Sequence, residues 1–158
     1  MKLIIKLFQE VENIYLDSNL IIKIMIKRVE KVTDKITLYN CDCMEYMKDI
    51  PDKYYDLCIV DPPYGIDACN MTMGSGTNKK WSKGKKWDNN IPTQEYFDEL
   101  FRVSKNQIIW GGNYFPLPPS RCIVCWDKIQ PWENYSQVEL AWTSFDSPAQ
   151  LYRFDNRT

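Results

Sequence analysis

Two consecutive prolines, Pro62 and Pro63, follow an apolar run at residues 57–60 with only Asp61 between, and they limit what this part of the chain can form. The run is short, apolar and partly β-branched, which predicts a buried strand. Proline holds φ at about −65°, and the residue before a proline avoids the helical region. The sequence therefore predicts a strand that ends at Val60 and is followed by a stiff, extended loop.

Residues 61–65, which we name the 61–65 loop, combine hydrogen-bond acceptors with an aromatic ring. Because proline has no N–H, the loop offers the Asp61 carboxylate and the Pro62 carbonyl as acceptors. Together they could accept both N–H groups of an exocyclic amine, which returns the amine lone pair to nitrogen. Tyr64 could stack on the base, a contact worth roughly 1–3 kcal/mol, and Gly65 permits a close turn. An ordinary surface turn is the alternative, because Asp and Pro are common turn residues.

The segment before this loop predicts a strand, a helix and a second strand. Residues 36–40 are apolar and β-branched, residues 43–47 have helical spacing, and Pro51 ends that helix. This order predicts parallel strands joined by a right-handed crossover, with ligands at the carboxyl ends of the strands. Asp42 and Asp61 would then lie at the same end of the sheet.

Further along the chain, we predict a helix at residues 93–103 with Thr93 as its N-cap. Short apolar and β-branched segments predict strands at 107–110, 122–126 and 138–143. Gly111-Gly112 follows the first of these strands and predicts a close turn.

Residues 36–154 resemble the amino-terminal half of bacterial and phage DNA methyltransferases that modify exocyclic amines, the N6-adenine/N4-cytosine type whose catalytic half comes first. The matching blocks follow the family's order and lie at residues 38–43, 55–65, 87–88, 95–97, 102–103, 108–115, 126–128 and 139–142. The resemblance implies an α/β chain with a partial Rossmann-like, S-adenosylmethionine-dependent methyltransferase fold. It implies a mainly parallel sheet, truncated before the glycine loop that binds the cofactor.

The activity implied by the resemblance is methyl transfer from S-adenosylmethionine to N6 of an adenine flipped out of DNA. By the same resemblance, an aspartate at the first position of the tetrapeptide at residues 61–64 suggests that the target is adenine, and cytosine N4 is the alternative. The catalytic residues that the resemblance implies are Asp61, Pro62, Pro63 and Tyr64. The implied cofactor-binding residues are Asp42, for the adenosine portion, with Asp61 and Gly65. The chain contains no histidine, which excludes a histidine base.

The chain departs from the family because it lacks the glycine-rich loop that cradles the methionine portion of the donor. Gly74-Ser75-Gly76 follows no predicted strand and indicates a linker. We therefore expect a catalytic half without most of its cofactor cradle, for which independent turnover is doubtful. A non-catalytic remnant or a nucleic-acid-binding module is the alternative.

The net charge of −1 gives no general attraction to nucleic acid, so any DNA contact must be local. Residues 78–87 place five lysines around two tryptophans, and lysines that neutralise phosphates give salt-dependent binding. A solvated loop is the alternative. Asn113 and Lys128 belong to further blocks of the resemblance. The candidate DNA-binding residues are Lys79, Lys80, Trp81, Lys83, Lys85, Lys86, Trp87, Asn113 and Lys128.

The cysteines superficially suggest a zinc site, because Cys41-x-Cys43 and Cys122-x-x-Cys125 have short ligand-like spacings. A strand over residues 121–126 would send Cys122 and Cys125 to opposite faces. We therefore expect no metal site, and core thiols in a reducing cytoplasm.

Residues 1–35 form an extension of uncertain status before a methyltransferase half at 36–158. The extension could be an amphipathic helix over an open sheet edge or non-native sequence from an upstream start codon. No apolar run approaches the ~20 residues that cross a bilayer, so we expect no membrane partner. Half of a parallel sheet leaves an unpaired edge, which predicts a complementary chain or self-association.

Overall fold

The computed structural model describes residues 28–68, 86–130 and 135–155, which fall into two compact units. The described part of the first unit comprises residues 28–60 and 93–107, and the rest belongs to the second unit. None of the helices within these ranges has the length and apolarity needed to cross a membrane. An amphipathic helix was one possibility for residues 1–35; residues 1–27 lie outside the described residues, and residues 28–33 form a strand instead.

The first unit begins with a hairpin of β1 (Arg28–Thr33) and β2 (Ile36–Asn40), which pair antiparallel in a two-stranded sheet of their own. The prediction that residues 36–40 form a parallel unit with the strand before Asp61 is therefore wrong. A tight turn between Thr33 and Ile36 brings β1 beside β2 directly, whereas parallel pairing needs a long crossover. The hairpin also spans the boundary that we expected at residue 36.

The predicted helix after β2 is confirmed as α1 (Cys43–Lys48). It begins at Asp42, whose carboxylate accepts hydrogen bonds from the backbone N–H groups of Met44 at 2.8 Å and Glu45 at 3.4 Å. Such a cap satisfies N–H groups that have no partner inside the helix. Cys43 and Met47, one turn apart, are the buried residues of this helix.

The core of the first unit lies beneath α2 (Gln94–Val103), which follows β3 (Tyr55–Val60) in the chain. The buried side chains of α2 recur at helical spacing and are Tyr96, Phe97, Leu100 and Val103. Thr93 occupies the N-cap position as predicted, although its side chain makes no capping hydrogen bond. β3 neighbours β4 (Ser104–Trp110), which extends the predicted strand at its beginning.

The second unit contains the remainder of β4 with β5 (Ile123–Asp127), β6 (Val138–Thr143) and β7 (Gln150–Arg153). Its strand order is β4-β6-β5-β7. β6 runs antiparallel to both β4 and β5, whereas β5 and β7 are parallel. The sheet is therefore mixed and not mainly parallel as predicted, because β6 pairs antiparallel on both of its sides. The chain is α/β with a mixed sheet.

The last strand of this sheet, β7, was not predicted. All of its residues are exposed, with Leu151 at 64% and Tyr152 at 57% relative exposure. Within the described residues, β5 is the strand that pairs with it. The complementary chain or self-association expected at an open sheet edge stays a prediction.

Candidate active site

The 61–65 loop lies in the second unit, directly after the end of β3 in the chain. Asp61 is exposed, whereas Pro62 is buried and Pro63 is half-buried. The Tyr64 hydroxyl donates a hydrogen bond to Asp61 Oδ1 at 2.7 Å. The carboxylate therefore stands at the surface, and its loop closes back on it through the tyrosine.

The Tyr64 ring is held by neighbouring aromatic residues and by a glycine. It stacks on Tyr114 with ring centroids 5.0 Å apart and planes 12° apart, and it meets the edge of Phe115. A Cβ atom on Gly111 would lie 2.2 Å from Tyr64 Cε1, and Gly111 has a φ of 70°. Both the close approach and the left-handed backbone require glycine here.

Burial raises the pKa of Tyr64, and the hydrogen bond to Asp61 adds to this shift. The charges of Asp61 and Glu139 act in the same direction, because they oppose a second negative charge nearby. The hydroxyl therefore stays protonated near neutral pH and remains a donor to Asp61.

The backbone of the loop is bound by Asp88, which is 1% exposed. Asp88 Oδ1 accepts hydrogen bonds from the N–H groups of Tyr64 at 2.6 Å and Gly65 at 3.0 Å. Asp88 Oδ2 accepts from the N–H of Ala68 at 3.0 Å. The Asp88 carbonyl also accepts from the N–H of Asp67 at 3.1 Å. One acidic residue thus satisfies the donors of a turn that lies 20 to 24 residues earlier.

Gly65 completes the turn with a φ of 70°. A Cβ atom there would lie 3.0 Å from Ile91 Cγ2 and 3.2 Å from the Ile91 backbone nitrogen. The close turn predicted at this glycine is confirmed.

Lys128, predicted to contact DNA, is instead paired within the protein. Its Nζ donates to Glu139 Oε1 at 2.5 Å, and its side chain is only 12% exposed. Lys128 also donates its backbone N–H to the Gln137 carbonyl. In this arrangement, its charge is paired with that of Glu139, and contact with DNA stays a prediction.

The two tryptophans near the strand ends have different surroundings. Trp126 is half-buried, packs edge-on against Trp110 at 6.2 Å, and donates its indole N–H to the Phe154 carbonyl at 2.8 Å. Trp142 is 8% exposed and donates to the Pro118 carbonyl at 2.7 Å. Trp142 is therefore a core residue.

The remaining candidates are scattered. Lys86 and Trp87 are exposed, Trp87 at 54%, and Asn113 is exposed in a single 3₁₀ turn at Gly112–Tyr114. Asp42 belongs to the first unit, where its carboxylate caps α1. The other candidates fall outside the described residues and are Lys79, Lys80, Trp81, Lys83 and Lys85.

No group of potential metal ligands occurs among the residues that the structure describes. Five of the cysteines lie in this part of the chain and all are free thiols. Cys122 is buried while Cys125 is half-buried in β5.

Sequence reasoning missed three residues of this site, namely Asp88, Tyr114 and Glu139. All three stood inside matched blocks of the resemblance, but no role was drawn from them. The sequence did indicate that an acceptor is needed, because the N–H groups of Tyr64 and Gly65 follow two prolines in a segment without a strand partner. No sequence signal indicated which acidic residue would accept them.

The donor implied by the resemblance fits these residues only in part. Asp42 offers an exposed carboxylate, but its Oδ1 is used by the α1 cap. The glycines at 65 and 111 are packed against Ile91 and Tyr64 and so leave no room beside them. Within the described ranges, no glycine-rich turn joins a strand to an α-helix. These residues do not form a complete donor site.

A comparison with curated proteins finds a partial relative. The type II methyltransferase M.BamHI of Bacillus amyloliquefaciens is 32% identical over 83 residues, which cover 52% of this chain and 17% of the relative. The chain thus spans about a sixth of the relative's length. No family model matches the chain, and no solved structure matches it. The similarity supports a relationship to methyltransferases over about half of this chain.

Proposed function

We propose that this chain carries the base-binding half of a DNA methyltransferase that acts on N6 of adenine, with S-adenosylmethionine as the methyl donor. The observation that carries the proposal is the exposed Asp61 carboxylate, held at the end of β3 by a proline-stiffened loop. The partial similarity to a type II methyltransferase supports the same class of reaction. Methyl transfer to cytosine N4 is the alternative within this class.

In the proposed reaction, Asp61 and the Pro62 carbonyl accept the two N–H groups of the base's exocyclic amine. An ionised carboxylate can accept several hydrogen bonds. The amine can therefore bind Asp61 beside the Tyr64 hydroxyl, or it can replace that hydroxyl. Accepting both N–H groups keeps the lone pair on nitrogen and aims it outward.

The stacked pair of Tyr64 and Tyr114 provides the stacking surface for the base, because the two rings are nearly parallel and Tyr114 is 42% exposed. A stacked pair of rings with an exposed member offers a π-face to any base. A base in duplex DNA must leave the stack to reach it, at a cost of a few kcal/mol.

The donor supplies an electrophilic methyl group when it is bound. The described residues do not complete its site, so we propose that the chain acts together with a segment that supplies the glycine-rich cradle. Lys86 and the exposed Trp87 are the described candidates for contact with the DNA backbone near the site.

The experiment that tests this function compares Asp61→Ala and Asp61→Asn with the wild-type chain. Asp146→Ala is the matched control, because Asp146 is also an exposed acid of the second unit and pairs with Arg121. Binding of deoxyadenosine and deoxycytidine is measured by two-dimensional NMR, which needs no methyl donor. Methyl transfer from labelled S-adenosylmethionine to DNA is measured with the chain alone, and nucleoside mass spectrometry identifies the product.

We expect the wild-type chain to bind deoxyadenosine with shifts at the 61–65 loop. Loss of a charge-assisted hydrogen bond costs about 1.5–3 kcal/mol, so Asp61→Ala should weaken this binding roughly 10- to 100-fold. In any preparation that turns over, Asp61→Ala should abolish methylation and leave DNA binding measurable. Preferential deoxycytidine binding or N4-methylcytosine would transfer the proposal to cytosine. No nucleoside binding, or binding unaffected by Asp61→Ala, would refute the assigned chemistry.

A further inference from the structure

Asp88 is a buried carboxylate whose described partners are all backbone N–H groups. It is 1% exposed, and it accepts from Tyr64, Gly65 and Ala68. Burying an ionised carboxylate is costly unless hydrogen bonds replace the lost water. The hydrogen bonds from these three N–H groups offset the cost of burying Asp88, and they also hold one short turn in place.

Because of the proline geometry, the hydrogen bond from the Tyr64 N–H to Asp88 also restricts the direction of the Pro62 carbonyl, which is the proposed acceptor for the base amine. The peptide plane between Pro63 and Tyr64 carries the N–H that Asp88 holds at 2.6 Å. The next plane toward the N-terminus carries the Pro62 carbonyl. These two rigid planes meet at the Pro63 Cα, where φ is fixed by the proline ring. Only one soft torsion, ψ of Pro63, separates the anchored N–H from the Pro62 carbonyl.

We propose that Asp88 is a positioning residue that sets the direction of the Pro62 carbonyl and the placement of Tyr64 for the incoming base. This role rests on the proposed function, because it assigns Asp88 to the site built around Asp61. Asp88 does not touch the base. It acts through the backbone of the 61–65 loop.

The other contacts of Tyr64 hold its side chain, so the hydrogen bonds to Asp88 are the described contacts that hold the backbone of the 61–65 loop at Tyr64 and Gly65. The Tyr64 ring is held by Gly111 and Tyr114, and its hydroxyl is held by Asp61. Those contacts fix the side chain of Tyr64, and the hydroxyl bond can exchange with a base amine. The described contacts of the Tyr64 and Gly65 N–H groups go to Asp88 alone, and a base amine has no reason to displace them.

Two variants of Asp88 remove its hydrogen bonds to the loop to different extents. Asp88→Asn keeps one oxygen for the Tyr64 and Gly65 N–H groups but places an NH₂ group against the Ala68 N–H, so it preserves part of the anchor. Asp88→Ala removes all acceptors. Asp127→Asn is the matched control, because Asp127 also accepts a backbone N–H, from Ile129 at 2.9 Å, in a different loop of the second unit.

The experiment uses the full 158-residue chain and three readouts. Amide hydrogen exchange is followed at Tyr64, Gly65 and Ala68, with the amides of β6 as the reference for the intact sheet. Binding of deoxyadenosine is followed by NMR. Where methyl transfer is detectable, kcat and KM for DNA are determined separately.

We expect Asp88→Ala to accelerate exchange at the three loop amides while β6 stays protected, and to weaken deoxyadenosine binding. Misplacement of a reacting group by about 1 Å costs on the order of 100-fold, so kcat should fall by about that factor with KM for DNA unchanged. Asp88→Asn should restore part of each loss, and Asp127→Asn should behave as the wild type. A purely structural role would expose β6 to exchange and would spare the bound nucleoside in the folded fraction.

The two proposals fail in different samples. Unchanged loop exchange, or unchanged deoxyadenosine binding, in Asp88→Ala overturns the positioning role while the wild-type chain still binds the nucleoside. A wild-type chain that binds no nucleoside overturns the proposed function and the positioning role with it. In that case, exchange at the loop amides still decides whether Asp88 anchors the turn.

Discussion

Gly111 offers a quantitative test of how the Tyr64 ring is held. In the structure, the ring lies where a side chain at position 111 would be, with three ring atoms within 2.7 Å of a Cβ built there. Gly111 also has a φ of 70°, which residues with a side chain rarely adopt. Gly111→Ala therefore meets two separate penalties, one from the backbone and one from the ring.

The two penalties can be separated by a double-mutant cycle with Tyr64→Ala. The left-handed backbone costs an alanine roughly 1–2 kcal/mol, and overpacking costs typically about 1–3 kcal/mol more. In the wild type, Gly111→Ala should therefore lower the free energy of unfolding by roughly 2–5 kcal/mol. In the Tyr64→Ala background, only the backbone penalty should remain. The coupling energy between the two positions should be about 1–3 kcal/mol.

Urea unfolding followed by tryptophan fluorescence measures each corner of this cycle, since the chain contains 6 tryptophans. Any effect of alanine on the unfolded chain is the same in both backgrounds and cancels in the cycle. If Gly111→Ala costs the same with and without the tyrosine ring, then the ring does not lie against Gly111. The arrangement of the site described above would then be wrong.

Two further predictions concern buried tyrosines of the first unit. The Tyr96 hydroxyl is buried without a hydrogen-bond partner among the described residues, so Tyr96→Phe should raise the free energy of unfolding by about 1 kcal/mol. Tyr55→Phe is its matched control and should lower it by about 1 kcal/mol, because the Tyr55 hydroxyl bonds to that of Tyr46 at 2.9 Å. Equal effects in urea unfolding would contradict both assignments. Burial raises the pKa of Tyr46, Tyr55 and Tyr96, so folding favours the protonated forms of these three tyrosines. Their contribution to stability should be constant below about pH 10, their ordinary pKa, and should decline as the pH rises further. Urea unfolding between neutral pH and pH ~11 checks this, and a rising stability would have the wrong sign.

Elements with a strong local pattern could be predicted from the sequence. Residues 138–143 form β6 with the expected bounds, and the four buried residues of α2 follow helical spacing. The pairing of strands could not be predicted in the same way. β2 pairs with a strand that precedes it by a two-residue turn, and β7 is a four-residue strand with no buried side chain. Neither feature leaves a periodic signal in the sequence.

The candidate site also combines features that the local sequence predicts with contacts that depend on the fold. The exposed position of Asp61 follows from the prolines after it, which end the strand and stiffen the loop. The contact between Tyr64 and Gly111 joins residues 47 positions apart in the numbering, and no local pattern encodes it. The Lys128–Glu139 pair was missed for the same reason, since it depends on the antiparallel register of β5 and β6.

Asp88 shows what a hydrogen-bond inventory of the sequence can and cannot provide. Buried backbone N–H groups in native proteins almost always have partners. Pro62 and Pro63 have no N–H, so Tyr64 and Gly65 carry the first donors of a turn that has left its strand. These donors require an acceptor, and the requirement follows from the sequence alone. The identity of that acceptor depends on how the chain returns after residue 85, because any of several acidic residues could supply the oxygens. Only the fold selects Asp88, and the exchange rates of those two amides report that selection directly.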